Sequence, residues 1–84
     1  MTLQILFEEK AINEAAAFLA DDAAGLSQLL DAIDALAENP RPTRSFPYLS
    51  AHLRRLRLGR YRVLYRIDGD VISIGHIARG RSTR

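Results

Sequence analysis

The run Arg55-Leu56-Arg57-Leu58-Gly59-Arg60-Tyr61-Arg62-Val63-Leu64-Tyr65-Arg66-Ile67 constrains this chain more than any other segment. Apolar and basic residues alternate on both sides of Gly59-Arg60. Period-two alternation around a two-residue, glycine-bearing break describes a β-hairpin with one apolar face. If Gly59-Arg60 is the turn, of type II′, Leu58 lies opposite Tyr61, Arg57 opposite Arg62, Leu56 opposite Val63 and Arg55 opposite Leu64. Facing residues share a side of the sheet. Leu56, Leu58, Tyr61, Val63, Tyr65 and Ile67 then form an apolar face, and Arg55, Arg57, Arg62 and Arg66 crowd the other. Guanidinium groups placed directly opposite repel. The basic face is therefore expected to need an anion, unless acids of this chain or a neighbouring one neutralise it.

The rest of the sequence supplies a cover for the apolar face. Thr2 to Phe7 alternates as a half-buried strand. From Glu8 to Ala20, Ala11, Ile12, Ala15, Phe18 and Leu19 recur at helical spacing, with Glu8 and Glu9 where a helix N-terminus favours negative charge. Asp21-Asp22 caps a second helix whose face is Leu26, Leu29, Leu30, Ile33 and Leu36, and Asn39-Pro40-Arg41-Pro42 ends it. Gly25 in its first turn is tolerable at a cost of about 1 kcal/mol or less. Thr43 to His52 reads as a loop, since Pro47 argues against a central strand. Strands follow over Leu53–Leu58, Tyr61–Ile67 and Val71–Ala78, the last two joined at Asp68-Gly69-Asp70, where Asp-Gly suits a type I′ turn. Alternation along the last strand puts Ile72, Ile74 and His76 on the core face, and Ser73, Gly75, Ile77 and Arg79 on the arginine face. Ser73 and Gly75 would leave a shallow floor beside Arg62. The fold class is α+β: a small antiparallel sheet with a helical hairpin packed on one face, in the order β-α-α-β-β-β. At 84 residues, 1–84 is a single domain whose elements must share one core.

Charge is divided between the halves. Residues 1–40 hold one lysine against eight acids, a net −7, and residues 41–84 hold eleven arginines against Asp68 and Asp70, a net +9. Arginine concentrated on one surface suits forked contact with phosphate. The chain contains no cysteine, so disulfide scaffolds and thiolate metal sites are excluded. Without clustered carboxylates or histidines, no metal and no cofactor are expected. The amino terminus lacks a basic leader, and no apolar run approaches the roughly 20 residues that span a bilayer; a cytoplasmic protein with no membrane contact is expected.

Three stretches together, Asn39-Pro40-Arg41-Pro42, Leu56 through Ile67 with its Gly-x-Tyr-Arg-Val-Leu-Tyr core, and Asp70-Val71-Ile72-Ser73-Ile74, resemble the RelE/ParE toxin superfamily over nearly the whole chain. The resemblance implies the toxin of a type II toxin–antitoxin system. Its leading form is a RelE-like, metal-independent endoribonuclease that cuts mRNA on the ribosome and inhibits translation. Its alternatives are a ParE-like inhibitor of DNA gyrase and a degenerate toxin that only binds its antitoxin. All forms imply a cognate, RelB-like antitoxin; the first also implies ribosome and mRNA.

Carried over by position, the resemblance assigns catalytic roles to Arg55 and Arg57 on the first hairpin strand and to Arg62 in the motif. Near the C-terminus it points to Arg79 in one alignment of Arg79-Gly80-Arg81-Ser82; in the other the position is Gly80, and the role passes to Arg81 or is lost. Further RNA contacts fall to His52, Arg54, Arg66 and Arg84. The family reaction is attack of a ribose 2′-hydroxyl on the adjacent phosphate, which needs a base, an acid and cations for the phosphoryl oxygens. Arginine suits the cationic role and is a poor base at neutral pH. His76 reads as a core histidine. The family's terminal tyrosine has no counterpart before Arg84, so a slow or conditional enzyme is expected.

Overall fold

The computed structural model describes residues 2–80. Strands β3 (Ser50–Leu58) and β4 (Tyr61–Asp68) pair antiparallel, with Leu58 facing Tyr61, Arg57 facing Arg62, Leu56 facing Val63 and Arg55 facing Leu64. Gly59 turns the chain at φ 58°, a left-handed conformation that costs glycine nothing. Strand β5 (Val71–Arg79) follows β4 antiparallel. Because Asp68 faces Val71, the two-residue turn within Asp68-Gly69-Asp70 is Gly69-Asp70, with Gly69 at φ 63°.

Two edge strands complete a five-stranded sheet in the order β1-β5-β4-β3-β2. Strand β1 (Gln4–Phe7) lies parallel to β5, so the sheet is mixed and only its other four strands run antiparallel. Ser45–Tyr48, expected as loop, forms β2 against β3. Pro47 is compatible with this because β2 is an edge, where a missing N–H breaks no ladder on the open side.

The helices α1 (Glu9–Asp21) and α2 (Ala23–Ala35) form the hairpin on the apolar face. Asp22 ends α1 and caps α2, its carboxylate accepting the Gly25 N–H at 3.1 Å. A Cβ at position 25 would run into that carboxylate, so Gly25 is part of the cap. Leu26, Leu29, Ile33 and Leu36 are buried against Leu56, Val63, Tyr65, Ile72 and Ile74. From α1 only Ala11 is fully buried; Ile12 and Leu19, expected on its inner face, lie exposed. Among the described residues no helix is long and apolar enough to cross a membrane.

One irregularity changes the faces of β5. Tyr65 pairs with Ile74, but Leu64 pairs with His76, leaving Gly75 as an extra residue in a β-bulge. Side-chain parity reverses beyond it. Ile77, expected on the arginine face, is 1% exposed in the core. His76, expected in the core, emerges beside Leu64 on the arginine face, and Arg79, expected there, faces Tyr61 on the helix side. The bulge sits where β5 changes neighbours. Phe7 is the last β1 residue paired with it, Glu8 N–H donates to the Ile74 carbonyl at 2.9 Å, and the Glu14 carboxylate of α1 then takes the Ile77 N–H at 2.8 Å.

Candidate nucleic-acid interface

The register of β3, β4 and β5 sets the basic face. Arg55 and Arg57 project from β3, Arg62 and Arg66 from β4, and none of the four forms an ion pair among the described residues. Arg55, Arg62, Leu64, His76, Ala78 and Tyr48 surround a depression of about 140 Å³. The Arg55 guanidinium stacks 5.3 Å from the Tyr48 ring centre. Its Nε is buried without a hydrogen-bond partner among the described residues. An unmet buried donor costs about 1–3 kcal/mol. Arg62 lies across the end of β5, where Gly80 has no side chain; a Cβ there would overlap Nη1.

A second depression, of about 220 Å³, adjoins the first and shares Leu64 and His76 with it. Leu53, Arg66, Ser73, Gly75 and the Glu8 carboxylate line it. The small residues Ser73 and Gly75 do form its floor, although beside Arg66 and not beside Arg62, since Ser73 pairs with Arg66. Both depressions open on the sheet face away from the helices.

His76 stands between them. Its Nδ1 is 2.8 Å from Glu14 Oε2 and 2.7 Å from Lys10 Nζ, and those two groups are themselves 2.6 Å apart. Burial raises the Glu14 pKa, but the Ile77 N–H, Lys10 and His76 outweigh it and hold the carboxylate below its ordinary value.

The other residues singled out by sequence are scattered. Arg57 stays exposed opposite Arg62, outside both depressions. His52 is exposed at the start of β3, grouped with Arg66, Ile67, Asp68 and Gly69 at the far end of the sheet. Arg54 faces the helix side opposite Tyr65. There its Nε donates to Ser45 Oγ at 2.7 Å and its Nη2 to the Ser45 carbonyl at 2.9 Å. Arg79 binds Asp21 at 2.6 Å and lies 4.9 Å from the Phe18 ring centre, on the side away from Arg62. Asp21 raises its pKa first, with Tyr61 second. Arg81 and Arg84 lie outside the described residues.

Glu8, Glu14 and Tyr48 were not singled out by sequence. The two acids read as ordinary charges of a helix start and an exposed face, and Tyr48 belonged to an apparent loop. The faint signal for His76 was Gly75 before it, since an isolated strand glycine marks a bulge as readily as a floor. No three His, Cys, Asp or Glu side chains cluster as a metal site would require among the described residues.

Residues 6–83 match the family model described as the ParE toxin of the type II toxin–antitoxin system, parDE. A search of curated protein sequences gives no match. Among solved structures, the chain is similar to the archaeal RelE–RelB complex from Pyrococcus horikoshii OT3, with 24% identity over 98% of this chain and 100% of that one, at TM-score 0.77. It is similar to a free-state mutant of the E. coli toxin RelE, with 18% identity over 94% of this chain and 84% of that one, at TM-score 0.78. The chromosomal ParDE system of P. aeruginosa gives 14% identity over 95% of this chain and 98% of that one, at TM-score 0.75. At these identities the structural matches establish the shared fold.

Proposed function

The chain belongs to the ParE toxin family of type II toxin–antitoxin systems, and from that premise we propose that it is a metal-independent endoribonuclease acting on ribosome-bound mRNA. The observation that carries this reading is the pairing of Arg55, whose Nε has no acceptor among the described residues, with Arg62 in one small depression. A phosphodiester supplies what that site lacks: negative oxygens at hydrogen-bonding distance from two forked cations. As the 2′-hydroxyl attacks, charge grows on the non-bridging phosphoryl oxygens, and Arg55 and Arg62 stabilise it in place. Arg66 and the exposed Arg57 extend the positive track along the strand. The ribosome aligns the message, which contributes by removing the entropy of orientation.

A cognate antitoxin is the natural partner, in keeping with the complexes in which relatives such as the P. horikoshii protein were crystallised. Binding only the folded toxin, it raises the toxin's melting temperature by mass action.

The test is to add the purified protein to translating ribosomes and map the mRNA ends. New ends within the open reading frame are expected with the native sequence and absent with Arg62→Ala; intact message at high protein concentration overturns the reading. The alternative reading is a ParE-like toxin that inhibits DNA gyrase by binding alone. A supercoiling assay separates the two, since an RNA-directed toxin leaves gyrase active.

A further inference from the structure

We propose that His76 is the proton acceptor of this site, held in its working tautomer by Glu14; this rests on the RNA-cleaving reading above. Arginine alone leaves the reaction without a base, and the bulge at Gly75 brings an imidazole into the ring of cations. His76 lines both depressions on the arginine face, and no described residue hydrogen-bonds its Nε2.

The contacts on Nδ1 decide what Nε2 can do. Glu14 has Lys10 on Oε2 and the Ile77 N–H on Oε1, so its carboxylate is fixed between helix and strand. Two groups reach Nδ1: the Glu14 carboxylate, which can only accept, and the exposed Lys10 ammonium, which can only donate and has Glu14 Oε2 as its other partner. In the working tautomer Nδ1–H is donated to Glu14, Lys10 keeps to Oε2, and Nε2 presents a lone pair to the depression. A carboxylate behind an imidazole both selects that tautomer and stabilises the imidazolium formed when Nε2 takes a proton. Lys10 serves as the counterion that keeps Glu14 ionised.

The step balances with water as the only co-reactant. Nε2 takes the proton of the 2′-hydroxyl as the O2′–P bond forms and the P–O5′ bond breaks. The leaving O5′ takes a proton from water, and the imidazolium returns its proton to the hydroxide so made. The products are a 2′,3′-cyclic phosphate and a 5′-hydroxyl. Arg55 and Arg62 hold the non-bridging oxygens, Glu14 is a positioning residue, and His76 is the catalytic one.

The experiment is single-turnover cleavage of ribosome-bound message between about pH 5 and 9, with RNA binding measured alongside. The charged groups around His76 are Lys10 and Glu14 on α1, Glu8 at the β1–α1 junction, Arg55 on β3, and Arg62 and Arg66 on β4. Wild type is expected to show a rate that rises with pH as the histidine loses its proton, and His76→Ala to lose about 10²–10⁴-fold in rate with RNA affinity kept. Free imidazole should restore part of that rate, which a merely structural histidine would not allow. Glu14→Gln removes the charge behind the ring, so its rate should fall and its rising limb should move to lower pH. If His76→Ala does not fold, the Glu14→Gln profile decides by itself. Cleavage by His76→Ala at the wild-type rate, or a Glu14→Gln limb that does not move, overturns the role of His76 and leaves the RNase reading standing. A wild-type protein that leaves the message uncut overturns both.

Discussion

Arg54 grips Ser45 twice, through Nε to the hydroxyl and through Nη2 to the carbonyl, and so fastens the edge strand β2 to the sheet. Ser45 is 5% exposed and its hydroxyl also meets the Tyr65 hydroxyl, which in turn donates to the Pro40 carbonyl at 2.7 Å. These bonds anchor the whole 40–45 connection. Arg54→Ala leaves a buried serine short of a donor, a loss of about 1–3 kcal/mol. It is expected to lower the urea midpoint while RNA affinity stays within about twofold of wild type, given that the proposed phosphate contacts lie on the other face. A variant of unchanged stability and weakened RNA binding would return Arg54 to the interface.

Removing Gly75 should restore strict alternation along β5. The faces would be kept, with His76 opposite Leu64 and Ile77 opposite Val63 in the core, since Gly75 is the one residue without a partner. A deletion of Gly75 is therefore expected to unfold near the wild-type denaturant midpoint, whereas a regular strand that kept Gly75 would send Ile77 to solvent and forfeit about 1.5–3 kcal/mol of apolar burial. Gly75→Ala keeps the residue count, and its added methyl group meets the Glu8 carboxylate at an ordinary 3.6 Å. Its unfolding midpoint should stay near wild type. A deletion that unfolds far below the substitution, by the margin expected for a buried isoleucine sent to solvent, would contradict this register.

This contrast marks what could be read from the sequence. The β3–β4 pairing was legible because a two-residue turn leaves one register, and Arg55, Arg57, Arg62 and Arg66 followed from it. The faces of β5 were legible only as far as Ile74, because a bulge is a single added residue whose cause lies in the neighbours: β1 ends and α1 takes over beside it. Glu14 is sixty-two positions from His76, a pairing no local pattern encodes. The strand at Ser45–Tyr48 was hidden by Pro47, whose tolerance depends on β2 being an edge.

Acid should weaken the fold through Asp22 and Glu14. The Tyr61 hydroxyl, at 2.9 Å, and then the Gly25 N–H hold the Asp22 pKa below its ordinary value. Glu14 is lowered as well, its burial outweighed by Ile77, Lys10 and His76. For a carboxylate depressed in the folded state, the stabilisation is complete above the unfolded pKa of about 4 and disappears as pH falls through the lower, folded value. Urea titrations are expected to show stability that is flat just above about pH 5 with respect to these two groups and falls below about pH 4. The double variant Asp22→Asn, Glu14→Gln should be weaker at neutral pH and lose less on acidification. The same acid slope in variant and wild type would show that these carboxylates do not carry the effect.

Arg62 and Arg79 stand on opposite faces of the sheet, so their substitutions should separate binding from packing. Arg62 opens onto the depression with Arg55, whereas Arg79 is engaged by Asp21 and the Phe18 ring. A charge-assisted bond to phosphate is worth about 1.5–3 kcal/mol, so Arg62→Ala should weaken single-stranded RNA binding by about tenfold or more. It should also reduce the slope of log affinity against log salt by about 0.7, the signature of one lost phosphate contact. Arg79→Gln should leave both affinity and slope near wild type and lower the melting temperature, because what it breaks is the tie between α1 and β5. Filter binding at several salt concentrations with melting curves on the same samples distinguishes them. A salt slope reduced as much by Arg79→Gln as by Arg62→Ala would mean that RNA reaches round to the helix side, and that the arginine face alone does not define the interface.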